Sequence, residues 1–267
     1  MIKTILATSD WHLRPYKRLT EYDEQFIKLI KDIEEQKPDR VVIAGDLFHN
    51  KITVSNESII LISNLLNQIT KYSKIIIIPG NHDAIIGLDR EDSITPIITA
   101  MNNPNIAYYK TSGCFEDKWD KDIVWCSWSC LEHQKTPEIK EYKEAHDPKN
   151  EKQYIGLYHG VIQGSSTDVG FTFTDHGIDP NDFFHTDFFI AGDIHKHQTF
   201  NYKNYKGEGF GFMCGSLIQQ DFGETIDKHG YVLLEYNKTW NYKLKEIDTD
   251  YGFHTFTLTD FEKLNTI

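Results

Sequence analysis

The N-terminal third of the chain alternates between short apolar runs and longer amphipathic segments. The runs at residues 2–7, 40–44 and 74–78 are rich in aliphatic residues and end in polar or Gly-containing turns, which is typical of buried strands. The segments at residues 22–36 and 54–70 repeat apolar residues at the spacing of a helix face. A strand-helix-strand-helix-strand order implies parallel strands joined by right-handed crossovers, so the pattern predicts an α/β fold.

The rest of the chain changes to short strands separated by turns. A polar and charged stretch at residues 134–150 is predicted to be a helix or an exposed connection. The candidate strands lie at residues 105–109, 123–127, 154–158, 188–191, 210–213 and 231–236. The two halves together predict two packed mixed β-sheets flanked by helices, an α/β/β/α sandwich. Residues 1–240 are predicted to form this domain, and residues 241–267 a C-terminal extension.

Composition limits the classes of protein to which the chain can belong. Its 267 residues are 39% hydrophobic, and no run approaches the roughly 18 apolar residues of a membrane span. The absence of a secretory signal and of any CxxC pair among the four cysteines predicts an intracellular protein with reduced thiols. The formal net charge of −12 weighs against a broad DNA-binding surface, because phosphates are usually bound by Lys and Arg.

Five short polar motifs stand at the ends of predicted strands. They are Asp10-Trp11-His12, Gly45-Asp46-Leu47-Phe48-His49, Gly80-Asn81-His82-Asp83, His159-Gly160 and Gly192-Asp193-Ile194-His195-Lys196-His197. Sites in open α/β sheets form at the carboxyl ends of the strands, so we expect the five motifs to meet at one place.

The motifs contain Asp, His and Asn but no cysteine. Such an oxygen and nitrogen ligand set favours Mn, Fe or Zn in a catalytic role over a structural thiolate zinc site. Two cations roughly 3.5–4 Å apart would activate a water and neutralise a phosphate, and a carboxylate is the natural bridge between them. They would also return about four positive charges locally, which weakens the objection raised by the acidic composition.

In this order the motifs resemble those of the calcineurin-like metallophosphoesterase superfamily. Three details are similar to the SbcD-type DNA repair exonucleases within it: His49 in the second motif, the segment 192–198, and the segment 215–224 followed by the apolar run 230–234. The resemblance spans about residues 2–236 and implies manganese as the usual metal.

The resemblance implies two sets of metal ligands. One metal would be held by Asp10, His12, Asp46 and His195. Asp46 would bridge to a second metal, whose other ligands would be Asn81, His159 and Asp193. The family usually has His where this chain has Asp193, and an alternative register with His195 and His197 as the ligand pair stays open.

The resemblance also implies roles for residues beside the metals. His82 would contact the scissile phosphate and stabilise or protonate the leaving oxygen, and Asp83 would orient its ring. His49 would help to position the DNA phosphate. Two alternatives are that His49 only orients a ligand and that Asp83 only forms a turn. The basic loop after the first motif either contacts a DNA backbone or is a solvated turn; its cationic residues are Arg14, Lys17 and Arg18.

The activity implied is that of a DNA nuclease in repair or recombination, with 3′-to-5′ exonuclease action on duplex ends and endonuclease action on single strands. One alternative is a phosphatase or cyclic-nucleotide phosphodiesterase on the same scaffold, which the negative charge favours. Another is a non-catalytic scaffold that binds DNA or a partner and keeps metal for stability.

The resemblance further implies the partners of an SbcCD-like complex. The chain has no GxxxxGK[ST] phosphate loop, so an ATPase would be a separate, coiled-coil SbcC-type subunit. Homodimerisation stays open, and no membrane association is expected. Family members usually continue into a capping domain, so residues 241–267 are interpreted as the start of a truncated capping region or as part of a compact, phage-like form. The expected location is the cytoplasm of a bacterial or phage-infected cell.

Overall fold

A computed structural model describes residues 2–87, 90–132 and 135–255 of the chain. The helices of this part are α1 (Leu19–Gln36), α2 (Asn56–Ile69), α3 (Ile94–Met101) and α4 (Ile139–His146), with a 3₁₀ turn at Pro180–Phe183. The strands are β1 (Thr4–Thr8), β2 (Arg40–Ala44), β3 (Lys74–Ile78), β4 (Ile106–Tyr108), β5 (Gly113–Glu116), β6 (Ile123–Trp128), β7 (Gln153–His159), β8 (Phe188–Gly192), β9 (Gln198–Asn204), β10 (Gly207–Met213), β11 (Gly230–Asn237) and β12 (Thr239–Glu246).

The strands form two mixed sheets of six strands each. The first has the order β12-β11-β1-β2-β3-β4, with β1 to β4 parallel. In the same sheet β11 runs antiparallel to β1, and β12 runs antiparallel to β11. The second has the order β5-β6-β7-β8-β10-β9, with four parallel strands at its centre and an antiparallel strand at each edge. The predicted α/β/β/α sandwich is therefore confirmed.

The alternation of side chains along the strands builds three apolar layers. In β2, Val41 and Ile43 pack against the helices that cover the first sheet, whereas Val42 points into the layer between the two sheets. On the outer face of the second sheet, Phe189 packs with Phe183 of the 3₁₀ turn. None of the helices in the described residues combines the length and apolarity needed to cross a membrane.

Most of the predicted elements are present, and four others were not predicted. The stretch at 134–150 contains α4, although residue 134 lies outside the described residues. The elements missed are α3, β5, β9 and β12. The three strands among them lie at sheet edges, where β9 and β12 alternate with exposed polar residues and β5 has only four residues, so the sequence carries little apolar signal.

The C-terminal end of the sheet crosses the predicted domain boundary. Residue 240 lies within β12, which pairs with β11 from Gly230 opposite Glu246 to Asn237 opposite Thr239. Beyond β12, Gln25 and Lys28 of α1 donate hydrogen bonds to the carbonyl of Asp248. The first part of the predicted extension therefore belongs to the same folded unit, and residues 256–267 lie outside the described residues.

A buried ion pair joins the two sheets at the end opposite the motifs. Arg40, the first residue of β2, donates through Nε and Nη2 to both carboxylate oxygens of Asp117, at 2.9 and 2.6 Å. Asp117 follows β5 of the second sheet and also accepts a hydrogen bond from the indole of Trp125. Both charged residues are buried, so the loss of one partner would leave the other charge uncompensated.

We expect the substitution Asp117→Ala to lower the free energy of unfolding by about 3–5 kcal/mol, because Arg40 would stay buried without its counter-charge. Urea denaturation followed by circular dichroism would measure this change. The exposed Asp122→Ala serves as the matched control, with an expected change within about 0.5 kcal/mol. Equal unfolding midpoints for the two variants would show that the pair does not hold the sheets together.

Candidate metal centre

The five motifs meet where the parallel strands of both sheets end. Backbone hydrogen bonds connect the loops that carry them: the amide of Asp10 donates to the carbonyl of Gly45 at 3.1 Å, and that of His12 to the carbonyl of Asp46 at 3.0 Å. In the second sheet the amide of Gly160 donates to the carbonyl of Gly192 at 3.2 Å. The predicted convergence of the motifs is thus a consequence of parallel strand pairing.

The first group of side chains contains Asp10, His12 and His195, whose ligand atoms lie within 4.8 Å of one another. Nε2 of His12 is 2.9 Å from Nε2 of His195 and 3.4 Å from Oδ2 of Asp46. Asp10 and His12 are buried. The structure therefore brings together the four residues predicted to hold one metal.

The second group lies on the other side of Asp46. Nε2 of His159 is 3.3 Å from Oδ2 of Asp46 and 3.9 Å from Oδ1 of Asp193. Nδ2 of Asn81 donates to Oδ1 of Asp193 at 2.6 Å. Because the same oxygen of Asp46 lies between the imidazoles of His12 and His159, this carboxylate occupies the position that a bridging ligand requires.

Unpartnered atoms in the second group fit a cation. Nδ1 of His159 donates to the carbonyl of Ala44 at 2.6 Å, which leaves the Nε2 lone pair facing the carboxylates. Within the described part of the chain, Nε2 of His159 and Oδ1 of Asn81 are buried and have no hydrogen-bond partner. Buried lone pairs without a donor are costly, and a divalent cation with oxygen and nitrogen ligands would satisfy them.

Burial and neighbouring charges shift the pKa values of these groups in different directions. Burial raises the pKa of Asp10 to about 6. Burial acts in the same direction on Asp46, but His159 and His12 outweigh it and lower the pKa of Asp46 below its ordinary value. Burial opposes protonation of His159, yet Asp46 raises the pKa of His159 well above the usual range. A proton and a metal cation are therefore alternatives at Nε2 of His159.

Several predicted ligands have a left-handed backbone. Asp10, His12, Asp46 and Asp193 have φ values of 53°, 48°, 55° and 100°. This region is unfavourable for residues other than glycine, and such strain is concentrated at functional sites. Gly80 allows the close approach of the third motif, because a Cβ atom there would overlap Oδ1 of Asp46.

A third group consists of the rings of His12, His49 and His82. Nδ1 of His82 bonds to the carbonyl of His49 at 2.6 Å, and the centroids of the two rings are 5.7 Å apart. Burial, followed by the charge of Arg14, lowers the pKa of His49 to about 4, so its imidazole is neutral at neutral pH. The predicted pair of phosphate-contacting histidines thus lies at the rim of the first group.

The structure corrects the role expected for Asp83. Its carboxylate accepts hydrogen bonds from the amides of Asp46, Phe48 and Gly80 at 2.8, 3.1 and 2.9 Å. The ring of His82 is instead oriented by the carbonyl of His49. Asp83 is fully buried, so it fixes the loops of the second and third motifs to each other, rather than orienting the ring of His82.

The fifth motif contributes two side chains to the centre. Asp193 contacts Asn81 and His159, and His195 contacts His12. His197 instead bonds to the carbonyl of Met213 at 2.9 Å. Of the two alternative ligand pairs, the structure therefore brings Asp193 and His195 into the cluster.

The basic loop after the first motif is only partly available to a ligand. The guanidinium of Arg18 binds both carboxylate oxygens of Glu21 at 2.6 and 2.7 Å and donates to the carbonyl of Gln219. This bidentate pair occupies the side chain inside the protein, which corrects the assignment of Arg18 to DNA binding. Arg14 donates to the carbonyl of Gln220 at 3.1 Å, whereas Lys17 is exposed.

Glu224 is a site residue that was not predicted individually, although it is the last residue of the segment 215–224. Its Oε1 lies 2.6 Å from Nδ1 of His195, and its Oε2 accepts the amide of Gln220 at 2.8 Å. Burial acts to lower the pKa of His195, but the hydrogen bond to Glu224 outweighs burial and raises that pKa to about 9. A carboxylate on the second ring nitrogen orients a metal-binding histidine and makes it a stronger ligand.

Comparison with known proteins agrees with this geometry. A family model described as calcineurin-like phosphoesterase matches residues 3–197. The uncharacterized protein R555 of Acanthamoeba polyphaga mimivirus is 31% identical over 99% of the chain. A nuclease subunit of SbcCD from Staphylococcus epidermidis is 26% identical over 86% of the chain, and the DNA double-strand break repair protein Mre11 of Nanoarchaeum equitans is 30% identical over 60%.

The chain spans less than two thirds of the length of each of these relatives. The aligned part is 20% of the mimivirus protein, 65% of the Staphylococcus protein and 50% of the Nanoarchaeum protein. The similarity therefore covers only part of each relative.

We expect Glu224→Gln to weaken Mn²⁺ binding by about 10- to 100-fold, because His195 would lose its negatively charged partner. Isothermal titration calorimetry of the metal-free protein would measure the affinity. Glu208→Gln, at an exposed position of β10, is the matched control and should bind Mn²⁺ like the wild type. Unchanged affinity in Glu224→Gln would mean that His195 is held without this hydrogen bond.

Proposed function

Because the chain belongs to the calcineurin-like phosphoesterase family, we propose that it is a DNA nuclease that uses two divalent cations, with manganese as the preferred metal. The family match confirms the superfamily resemblance carried by the five motifs. The family consists of phosphoesterase hydrolases, and the restriction to DNA is our proposal. The names of the Staphylococcus and Nanoarchaeum relatives, a nuclease subunit and a DNA break repair protein, support it.

One contact carries the proposal most directly. The segment 215–224 is the part of the sequence that resembles the nucleases beyond the metal motifs, and it ends at Glu224. Glu224 bonds to the candidate metal ligand His195 at 2.6 Å. The nuclease-like segment is therefore in direct contact with the candidate metal centre, which supports a nuclease over another phosphoesterase of the same fold.

The proposed ligands fall into two sets that share one carboxylate. Asp10, His12, Asp46 and His195 would hold one cation, and Asp46, Asn81, His159 and Asp193 the other. When bound, the cations would neutralise the phosphate and lower the pKa of a water. The side chains are held ready for this by the backbone bonds between the loops.

We propose that His82 exchanges a proton with the leaving group. The carbonyl of His49 can only accept a hydrogen bond, so Nδ1 of His82 carries a hydrogen. Nε2 is then the nitrogen that donates to the leaving oxygen when the ring is protonated. His49 lies beside it with a neutral ring, and we propose that it positions the phosphate.

DNA would be contacted by the rim of the site. Of the three basic residues of the loop after the first motif, Lys17 is exposed and Arg14 lies close enough to His49 to lower its pKa. We assign these two to the phosphate backbone. The net charge of −12 limits the contribution of the rest of the surface, so affinity for DNA would depend strongly on the bound cations.

The finer features of the proposal follow the resemblance to SbcD-type enzymes. They are 3′-to-5′ exonuclease action on duplex ends, endonuclease action on single strands and a role in DNA repair or recombination. We also propose a separate SbcC-type ATPase as partner and the cytoplasm as location, and leave homodimerisation to measurement. These features are properties of whole proteins, and each of the relatives has a longer chain than this one.

We expect the purified protein to degrade end-labelled duplex DNA only when Mn²⁺ is present. His82→Gln should lower kcat by about 10²- to 10⁴-fold through the loss of the proton donor, with metal content unchanged. The exposed His146→Ala, outside the described cluster, serves as the control and should keep wild-type activity.

A small phosphomonoester and a cyclic nucleotide are assayed in parallel. Hydrolysis of these alone, with intact DNA, would replace the nuclease by the phosphatase or cyclic-nucleotide phosphodiesterase that the acidic composition favours. Stoichiometric metal with no hydrolysis of any phosphoester would replace it by a metal-stabilised scaffold. The product lengths of degraded DNA report the polarity.

A further inference from the structure

Two cysteines face each other on the second sheet, away from the metal centre. Cys114 of β5 is directly opposite Cys126 of β6 in the antiparallel register. Their Sγ atoms are 3.9 Å apart, and both are free thiols. From the sequence both were expected to be reduced cysteines with no pairing, and 12 positions separate them in the chain.

The hydrogen-bond phase of this strand pair suits a disulfide. The amide of Asp117 donates to the carbonyl of Ile123, so these two residues belong to the hydrogen-bonded phase. Opposite pairs along an antiparallel ladder alternate between hydrogen-bonded and non-hydrogen-bonded. Cys114 is three positions before Asp117, so Cys114 and Cys126 form a non-hydrogen-bonded pair. Residues opposite each other there have Cα atoms about 4.5 Å apart, within the range of about 4.4–6.8 Å that disulfides adopt. Rotation of the two side chains can therefore bring the sulfur atoms together without moving the strands.

One thiol of the pair is reachable from solvent. Cys114 is half-buried and lines a cleft of about 450 Å³ with Ser112, Pro137 and Tyr142 among the other lining residues. Cys126 lies behind it and is fully buried. A small disulfide can approach Cys114 through the cleft, whereas Cys126 does not line it.

The two thiols differ in the order in which they react. Burial raises the pKa of Cys126 well above its ordinary value, with the hydrogen bond to Cys114 acting in the same direction and Lys143 in the opposite one. Cys126 is therefore less able than an ordinary thiol to start an exchange, and the first attack falls to Cys114. This is the arrangement of an accessible thiol backed by a resolving thiol.

We propose that Cys114 and Cys126 form a redox modification site that closes to a disulfide by exchange with a low-molecular-weight disulfide such as oxidised glutathione. The Cys114 thiolate attacks one sulfur of oxidised glutathione, which forms a mixed disulfide and releases one glutathione thiolate. The Cys126 thiolate then attacks Sγ of Cys114, which forms the protein disulfide and releases the second glutathione. The two protein thiols lose two electrons, oxidised glutathione gains them, and the two thiol protons pass to the released thiolates.

The test is oxidation of the purified chain of 267 residues with oxidised glutathione, followed by alkylation of the remaining thiols and mass spectrometry. We expect the wild type to lose the mass of two hydrogens, and peptide mapping to find the peptides of Cys114 and Cys126 joined. Dithiothreitol should restore both thiols. A stable glutathione adduct on Cys114 without closure, or no reaction at either cysteine, would overturn the proposal.

Single substitutions separate the two steps. Cys126→Ser should trap the mixed disulfide on Cys114, and Cys114→Ser should lose both adduct and closure. The other two cysteines provide matched controls: Cys130→Ser and Cys214→Ser should close like the wild type, because Cys130 bonds to the carbonyl of Pro79 and Cys214 is fully buried. The mapping on the wild type needs no variant. It can therefore contradict the proposal even if one of the variants fails to fold.

Discussion

The candidate centre depends on Asp46 more than on any other residue, because three of the other four motifs contact it. Its carbonyl accepts the amide of His12, its Oδ1 accepts the amide of His82, and its own amide donates to Asp83. Its remaining oxygen lies within 3.4 Å of the imidazoles of His12 and His159. One residue therefore sets the loop geometry through its backbone and places the shared carboxylate through its side chain.

This concentration of groups has an electrostatic cost that cations would offset. Asp10 and Asp46 are buried beside the imidazoles of His12 and His159, and Asp193 lies within reach of the ring of His159. Isolated charges are expensive to bury, and positive-φ backbones at several of these residues add strain. A chain that folds into this arrangement without cations gives up stability at one end of its sheets. The sandwich can tolerate this because its three apolar layers and the Arg40–Asp117 pair lie elsewhere.

The sequence could predict those parts of the candidate site whose residues directly follow a strand. Each motif directly follows a buried strand, and the carboxyl ends of parallel strands meet at one edge, so the meeting of Asp10, Asp46 and Asn81 is implied by the order of elements. Glu224 has no such signal, since it follows no strand and reaches His195 through an irregular loop. The role of Asp83 was misassigned for a related reason: adjacency to His82 in the chain says nothing about which amides its carboxylate accepts.

By itself, the sequence determined the fold class, the central strands and the chemical character of the centre, because apolar periodicity and ligand type are local properties of the chain. Only the tertiary structure decided which polar groups are partners. In the tertiary structure Arg18 pairs with Glu21 inside the protein. His195 lies in the cluster, whereas His197 bonds to a backbone carbonyl. Cys114 lies opposite Cys126. These outcomes depend on strand register and on the packing of loops that are distant in sequence, where a shift of one residue turns a side chain to the opposite face.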